Sequence, residues 1–240
     1  MRLELERIPV YDGLRSGSEC FICDLMAEAE TDAIAFHLGN SVMNPETRVR
    51  VNEHGFCPSH WHALVEANRP QGVALMGDTY LATTRQKLAA TEKALRATKG
   101  KRQTKKAVKA LKELLASRDA GCLVCTQMQK RLERYLETTA YLWEQEEAFR
   151  KELLVSKGFC LHHYTALLVV AERVVKEYDH FVREITEIEM KHLERIGEEI
   201  YWMTQMFKSE NHGKEWNGCE DAHRRTVDKM VGRHRVIDPL

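Results

Sequence analysis

After Cys20 the apolar positions Phe21, Leu25, Ala29, Ile34 and Leu38 recur at steps near four, the period of one helix face. Gly39-Asn40 supplies a stop for that helix, and Asn44-Pro45 opens a second through about Asn52. Gly55 closes it, and a third helix begins at Cys57-Pro58. Further along, the same reasoning predicts helices near 123–140, 143–156 and from 161 to about 208. Within the last, Phe181, Ile185, Ile188, His192, Ile196, Ile200 and Met203 follow steps of three and four, a seam for a neighbouring helix or a second chain. A polar break at 209–218 precedes a short terminal helix, about 219–231. Residues 1–18 read as an extended lead-in, with Pro9 and Gly13 as helix breakers.

Between these stretches lies a helical hairpin, about 75–97 and 103–117, turning at Thr98-Lys99-Gly100-Lys101. From Lys93 to Lys112 it carries nine Lys or Arg and no acid, among them Lys99, Lys101, Arg102, Lys105, Lys106 and Lys109. A nucleic-acid contact would use such a patch. The blander reading is a solvated helix tip, with Leu95, Val108, Leu111, Leu114 and Leu115 as its buried stripe. No aromatic residue interleaves with the lysines to stack on bases, so nucleic acid is not the expected partner.

Low glycine (13) and proline (5) agree with a helical chain, and 43% hydrophobic residues suffice for a core. The formal net charge of zero excludes a global field for nucleic acid. The first twenty residues carry charges at Arg2, Glu4, Glu6 and Arg7, and no stretch reaches the length of an apolar span. The expectation is a cytoplasmic protein without membrane contact, whose thiols are kept reduced.

That compartment changes the meaning of the cysteines. Six of the seven fall into a pattern that occurs twice. Cys20-x-x-Cys23 is followed by Gly55-Phe56-Cys57-x-x-His60-Trp61-x-Ala63-Leu64, and Cys122-x-x-Cys125 by Gly158-Phe159-Cys160-x-x-His163-Tyr164-x-Ala166-Leu167. Cys23 to Cys57 is 34 positions, and Cys125 to Cys160 is 35. The shared flanks mark an internal duplication. Two intervening residues let a pair of donors reach one ion, and three thiolates with one imidazole complete the tetrahedron of a closed zinc site. The expected ligands are Cys20, Cys23, Cys57 and His60 for one ion and Cys122, Cys125, Cys160 and His163 for the other. Pairing of Cys20 and Cys23 with Cys160 and His163 across the duplication is the alternative. Each donor pair would sit at a helix start, where free amides and the helix dipole stabilise thiolates.

Zinc, two per chain, is the leading cofactor. An iron–sulfur cluster on the same ligands is the alternative, and oxidisable thiolates would make a redox sensor. His62 and His162 fall outside the repeated spacing, and Cys219 with His223 lacks a second half. Glu177-x-x-His180 and Glu189-x-x-His192 resemble halves of a di-iron site, with Glu133, Glu137 or Glu144 as conceivable partners. Both halves lie on one helix, however, so charge pairing on a solvated face is the simpler reading. Neither a phosphate loop nor a nucleophile elbow is present, and a saturated Cys3His site leaves no place for substrate.

The paired Cys-x-x-Cys…Gly-Phe-Cys-x-x-His units, each followed by Ala-Leu, resemble an uncharacterised prokaryotic family of unknown function. Its members are common in anaerobic bacteria and archaea. The resemblance covers about 15–235 and implies the eight ligand positions above, but no activity. The fold expected is all-α: metal-clamped helical modules at 1–75 and 119–175, a hairpin at 76–118, and a long C-terminal helix with a short terminal one at 176–240. The function expected is a non-catalytic zinc-binding scaffold or adaptor, joined to a protein partner or a second copy through the 178–206 seam.

Overall fold

The computed structural model describes residues 6–233, and among them every regular element is helical. The chain divides into two compact units, one of residues 1–29 with 129–240 and one of residues 30–128. The helices are α1 (Arg7–Leu14), α2 (Phe21–Leu38), α3 (Pro45–His54), α4 (Pro58–Glu66), α5 (Pro70–Arg96) and α6 (Lys101–Asp119). They continue as α7 (Leu123–Gln145), α8 (Glu147–Val155), α9 (Leu161–Ala171), α10 (Tyr178–Met206) and α11 (Ala222–Val231). Among the described residues no helix is long and apolar enough to cross a membrane.

Two local expectations are corrected. The lead-in contains α1, because Pro9 falls in the first turn, where a missing N–H costs no helical bond. Gly13 lets this helix approach Leu25, whose side-chain carbons would lie 3.1 Å from an added Cβ. The helix expected from 161 to 208 is two helices, α9 and α10. Between them the Lys176 N–H donates to the Glu144 carboxylate (2.5 Å) instead of to its own helix. The Tyr178 hydroxyl reaches back to the Leu168 carbonyl (3.1 Å).

In the unit of 1–29 and 129–240, Phe149, Phe159 and Phe181 are completely buried with Leu132 and Leu136. The predicted seam is covered by the chain itself: α10 packs on α9 and α11, and Phe181, Ile185, Ile188, His192 and Ile196 are buried. In the unit of 30–128, α3 and α4 pack on α5, and α6 folds back on α5 as the expected hairpin. The buried stripe foreseen for the hairpin is shallower. None of the residues of α6 is fully buried, and Val108 is 50% exposed. Lys99, Lys101, Arg102, Lys105, Lys106 and Lys109 all lie exposed on this hairpin.

Candidate metal centres

The repeated Gly-Phe has a backbone cause. Gly55 and Gly158 both adopt positive φ (61° and 75°), which turns the chain into α4 and α9. At Gly55 even an alanine Cβ would lie 2.6 Å from the Tyr80 hydroxyl. The phenylalanine that follows each glycine is buried, Phe56 against His37 and Trp61 and Phe159 against Phe21. The next residue, Cys57 or Cys160, is the N-cap of its helix, and His60 or His163 lies one turn inside it. Cys20 and Cys122 immediately precede α2 and α7, with Cys23 and Cys125 in the first turns. Sulfurs accept from these free amides: Cys125 N–H donates to Cys122 Sγ at 3.4 Å and His163 N–H to Cys160 Sγ at 3.5 Å.

All eight predicted ligands converge, but crosswise. One group is Cys20, Cys23, Cys160 and His163; the other is Cys57, His60, Cys122 and Cys125. The expectation of one ion within each repeat is thereby corrected. In the unit of 30–128 the Leu123 N–H donates to the Gly55 carbonyl (3.1 Å). Gly121 there abuts the His54 backbone so closely that an added Cβ would meet the carbonyl oxygen at 2.5 Å. The start of α7 is thus tied to the turn before α4. In the other unit the Phe21 and Phe159 rings pack in a tilted arrangement, centroids 5.2 Å apart, and join the start of α2 to that of α9.

The distances suit one tetrahedral ion. His163 Nδ1 lies 3.3 Å from Cys20 Sγ, 3.4 Å from Cys23 Sγ and 3.3 Å from Cys160 Sγ. His60 Nδ1 lies 3.2 Å from both Cys57 Sγ and Cys122 Sγ and 3.3 Å from Cys125 Sγ. One sulfur pair in each group, Cys23–Cys160 and Cys57–Cys125, is 3.9 Å apart. Zinc bonds of about 2.3 Å to sulfur and 2.0–2.1 Å to nitrogen give tetrahedral edges of about 3.8 Å and about 3.6 Å.

Within each group the thiols and the imidazole shift one another strongly. Hydrogen bonds from Cys160 and Cys20 hold the Cys23 thiol far below its ordinary range, while burial, then Cys160 and Cys23, drive Cys20 well above it. In the second group the bond from Cys125 lowers Cys122 to about 3, and Cys122 with burial pushes Cys125 up. Burial disfavours a charged His163, yet the Cys160 and Cys23 sulfurs raise it to about 9. A divalent ion held there would supply the positive charge that lets three neighbouring sulfurs ionise together.

The surroundings of the two groups differ. His60 Nε2 faces the Glu30 carboxylate at 3.0 Å, the arrangement that fixes a ligating imidazole with Nδ1 toward the metal. Cys57, Cys125 and Glu30 are half-buried. In the other group all four ligands are buried, and His163 Nε2 has no hydrogen-bond partner. There Glu189 accepts from the Phe159 N–H (3.1 Å), next to Cys160, and lies 3.5 Å from Lys229. An added Cβ on Gly232 would meet Cys160 Sγ at 3.1 Å and Cys23 Sγ at 3.5 Å, so the end of α11 rests on these thiols. Sequence reasoning missed Glu30, Lys229 and Gly232 and gave Glu189 a different role, as half of a di-iron motif; no spacing marks the places they take here.

The remaining candidates do other things. Glu189 is completely buried against Lys229, not on a solvated face, and Arg195 donates to His192. Arg173 pairs with Glu133 and Glu137, and Glu144 receives the Lys176 amide. No di-iron arrangement forms among these described residues. His62, His162 and His223 are exposed, and Cys219 is buried apart from both groups.

No curated protein and no solved structure matches the chain. A family model matches residues 1–236, a span that includes both copies of the cysteine–histidine motif, and by it the chain belongs to the family of unknown function DUF6062.

Proposed function

We propose that the protein is a zinc-stabilised helical scaffold without catalytic activity, binding one zinc ion in each of its two Cys3His groups. The observation that carries the reading is the set of four donors in each group, all within 4.8 Å of one another. Sulfur and imidazole select a soft or borderline ion over magnesium or calcium. A cluster interposes at least two irons between its ligands and spreads them beyond a single tetrahedral edge, so these distances favour zinc. Four protein donors leave no position for water or substrate, which favours a structural role. Binding energy at such a site, about 10–16 kcal/mol in zinc-finger peptides, would act largely as folding energy. The scaffold's contact with a protein partner or second copy would lie along α10, where Met190 and Tyr201 are exposed beside the internally packed seam.

Elemental analysis with an absorption spectrum, on protein purified without oxygen, tests the reading. The expected result is about two zinc per chain and no visible band. Iron with sulfide and a visible band would replace it with an electron-transfer reading on the same ligands. Protein that is folded and free of metal would overturn both.

A further inference from the structure

The two groups have the same donors at the same separations, but solvent reaches them unequally. Cys20, Cys23 and Cys160 are 2%, 0% and 0% exposed and His163 is 0% exposed. The closure is built by α11. Gly232 lies against the Cys160 and Cys23 sulfurs, Lys229 Nζ donates to the Lys157 carbonyl (2.6 Å) and the Glu19 carbonyl (3.3 Å), and Arg233 pairs with Asp24. In the other group Cys57 and Cys125 are half-buried, and their sulfurs are 3.9 Å apart. The Cys23–Cys160 pair is equally close, so proximity does not separate the groups. Access does, because oxidation of a thiolate follows its exposure.

We propose that the centres divide the work: Cys20, Cys23, Cys160 and His163 form a permanent structural site, while Cys57 and Cys125 of the other are a modification site for peroxides. This rests on the zinc reading above. The Cys57 thiolate attacks one oxygen of hydrogen peroxide; the O–O bond breaks, hydroxide leaves, and the sulfur becomes a sulfenic acid. The Cys125 thiolate then attacks that sulfur, the S–O bond breaks, and a second hydroxide leaves. Two protons from solvent convert both hydroxides to water. Two thiolates and one peroxide become one disulfide and two waters, peroxide being reduced and sulfur oxidised. His60 and Cys122 alone remain as donors, too few to hold the ion, and a thiol reductant restores the pair.

The test uses the full chain carrying its zinc. Hydrogen peroxide is added with a colorimetric zinc chelator present, and oxidised cysteines are mapped by mass spectrometry. The expected result is one equivalent of zinc released at least about tenfold faster than the second, with Cys57 and Cys125 oxidised and Cys20, Cys23 and Cys160 still reduced. A reductant should then restore metal binding. Release of both equivalents at one rate, oxidation first at Cys20, Cys23 or Cys160, or no release with every thiol still reduced would overturn the proposal. A preparation without zinc before peroxide is added would instead refute the zinc reading, so the two failures are distinct.

Discussion

Lys229 is the most consequential residue outside the ligands, and replacing it tests the account of the closed centre. Its ammonium is completely buried, 3.5 Å from an equally buried Glu189. Burial lowers the lysine and raises the glutamate, and each holds the other back from a larger shift. Lys229→Met keeps most of the volume but strands the Glu189 carboxylate and the Lys157 carbonyl, which now accepts at 2.6 Å. Breaking one partner of a buried pair costs about 3–5 kcal/mol, a large share of the about 5–15 kcal/mol that holds a domain together. Adding Glu189→Gln removes the stranded charge and keeps an acceptor for the Phe159 N–H, so the double variant should regain most of the loss.

The sign with pH follows. A carboxyl raised in the folded state binds more protons there than in the unfolded chain, so its contribution falls as pH rises through that window. The Lys229→Met deficit should therefore be largest at neutral pH and shrink as pH falls toward the unfolded glutamate value, about 4.3. Urea unfolding followed by circular dichroism, at fixed excess zinc, reads all three proteins. A single variant within about 1 kcal/mol of the parent, or a double variant no more stable than the single, would refute the reasoning.

The crossed ligation predicts that Cys23→Ser with Cys160→Ser removes one zinc, because both lie in one group; closure within each repeat would cost two, and elemental analysis separates these. His37 packs against Phe36 and Phe56, and burial, with Arg50 adding, lowers it to about 4. Its neutral form is needed in the fold, so its contribution is complete above the unfolded value of about 6.5 and is lost as pH falls toward the folded one. Between pH 7.5 and 5.5 the loss is about 1.3 kcal/mol; His37→Phe should remove that part of the slope in urea midpoints, and an unchanged slope would count against it.

The ligands were legible because spacing states them: two donors one helical turn apart, four times, each pair at a helix start. The glycine before each phenylalanine was legible as a repeat, though its reason, a positive φ under Tyr80 or beside Glu189, belongs to packing. The α9–α10 break was not legible. No glycine or proline stands between Phe159 and Ile196, and in the connection after α9 the Lys176 N–H goes to a carboxylate 32 residues away. Glu30 and Lys229 were illegible for the same reason, since each finds its role only opposite a partner distant in sequence.

Which cysteine pairs share an ion is the instructive case, because proximity in the chain is the natural guide and a weak one. A closure within a repeat would join Cys23 to Cys57 over 34 positions. The observed ones join Cys23 to Cys160 over 137 and Cys57 to Cys125 over 68. Each doubling of a loop costs about 0.6 kcal/mol, so the longer closures cost about 1.2 and about 0.6 kcal/mol more. Against about 10–16 kcal/mol for a structural zinc, that difference decides nothing. Burying Phe159 against Phe21, and bonding Leu123 to Gly55, is enough to reverse it. Crossing also gives the ion more to do. The unit of 1–29 and 129–240 is assembled from two stretches of chain, and its centre takes two ligands from each. Loss of that ion should therefore release the N-terminal stretch as well as loosen the start of α9, a wider effect than a clamp within one repeat would have.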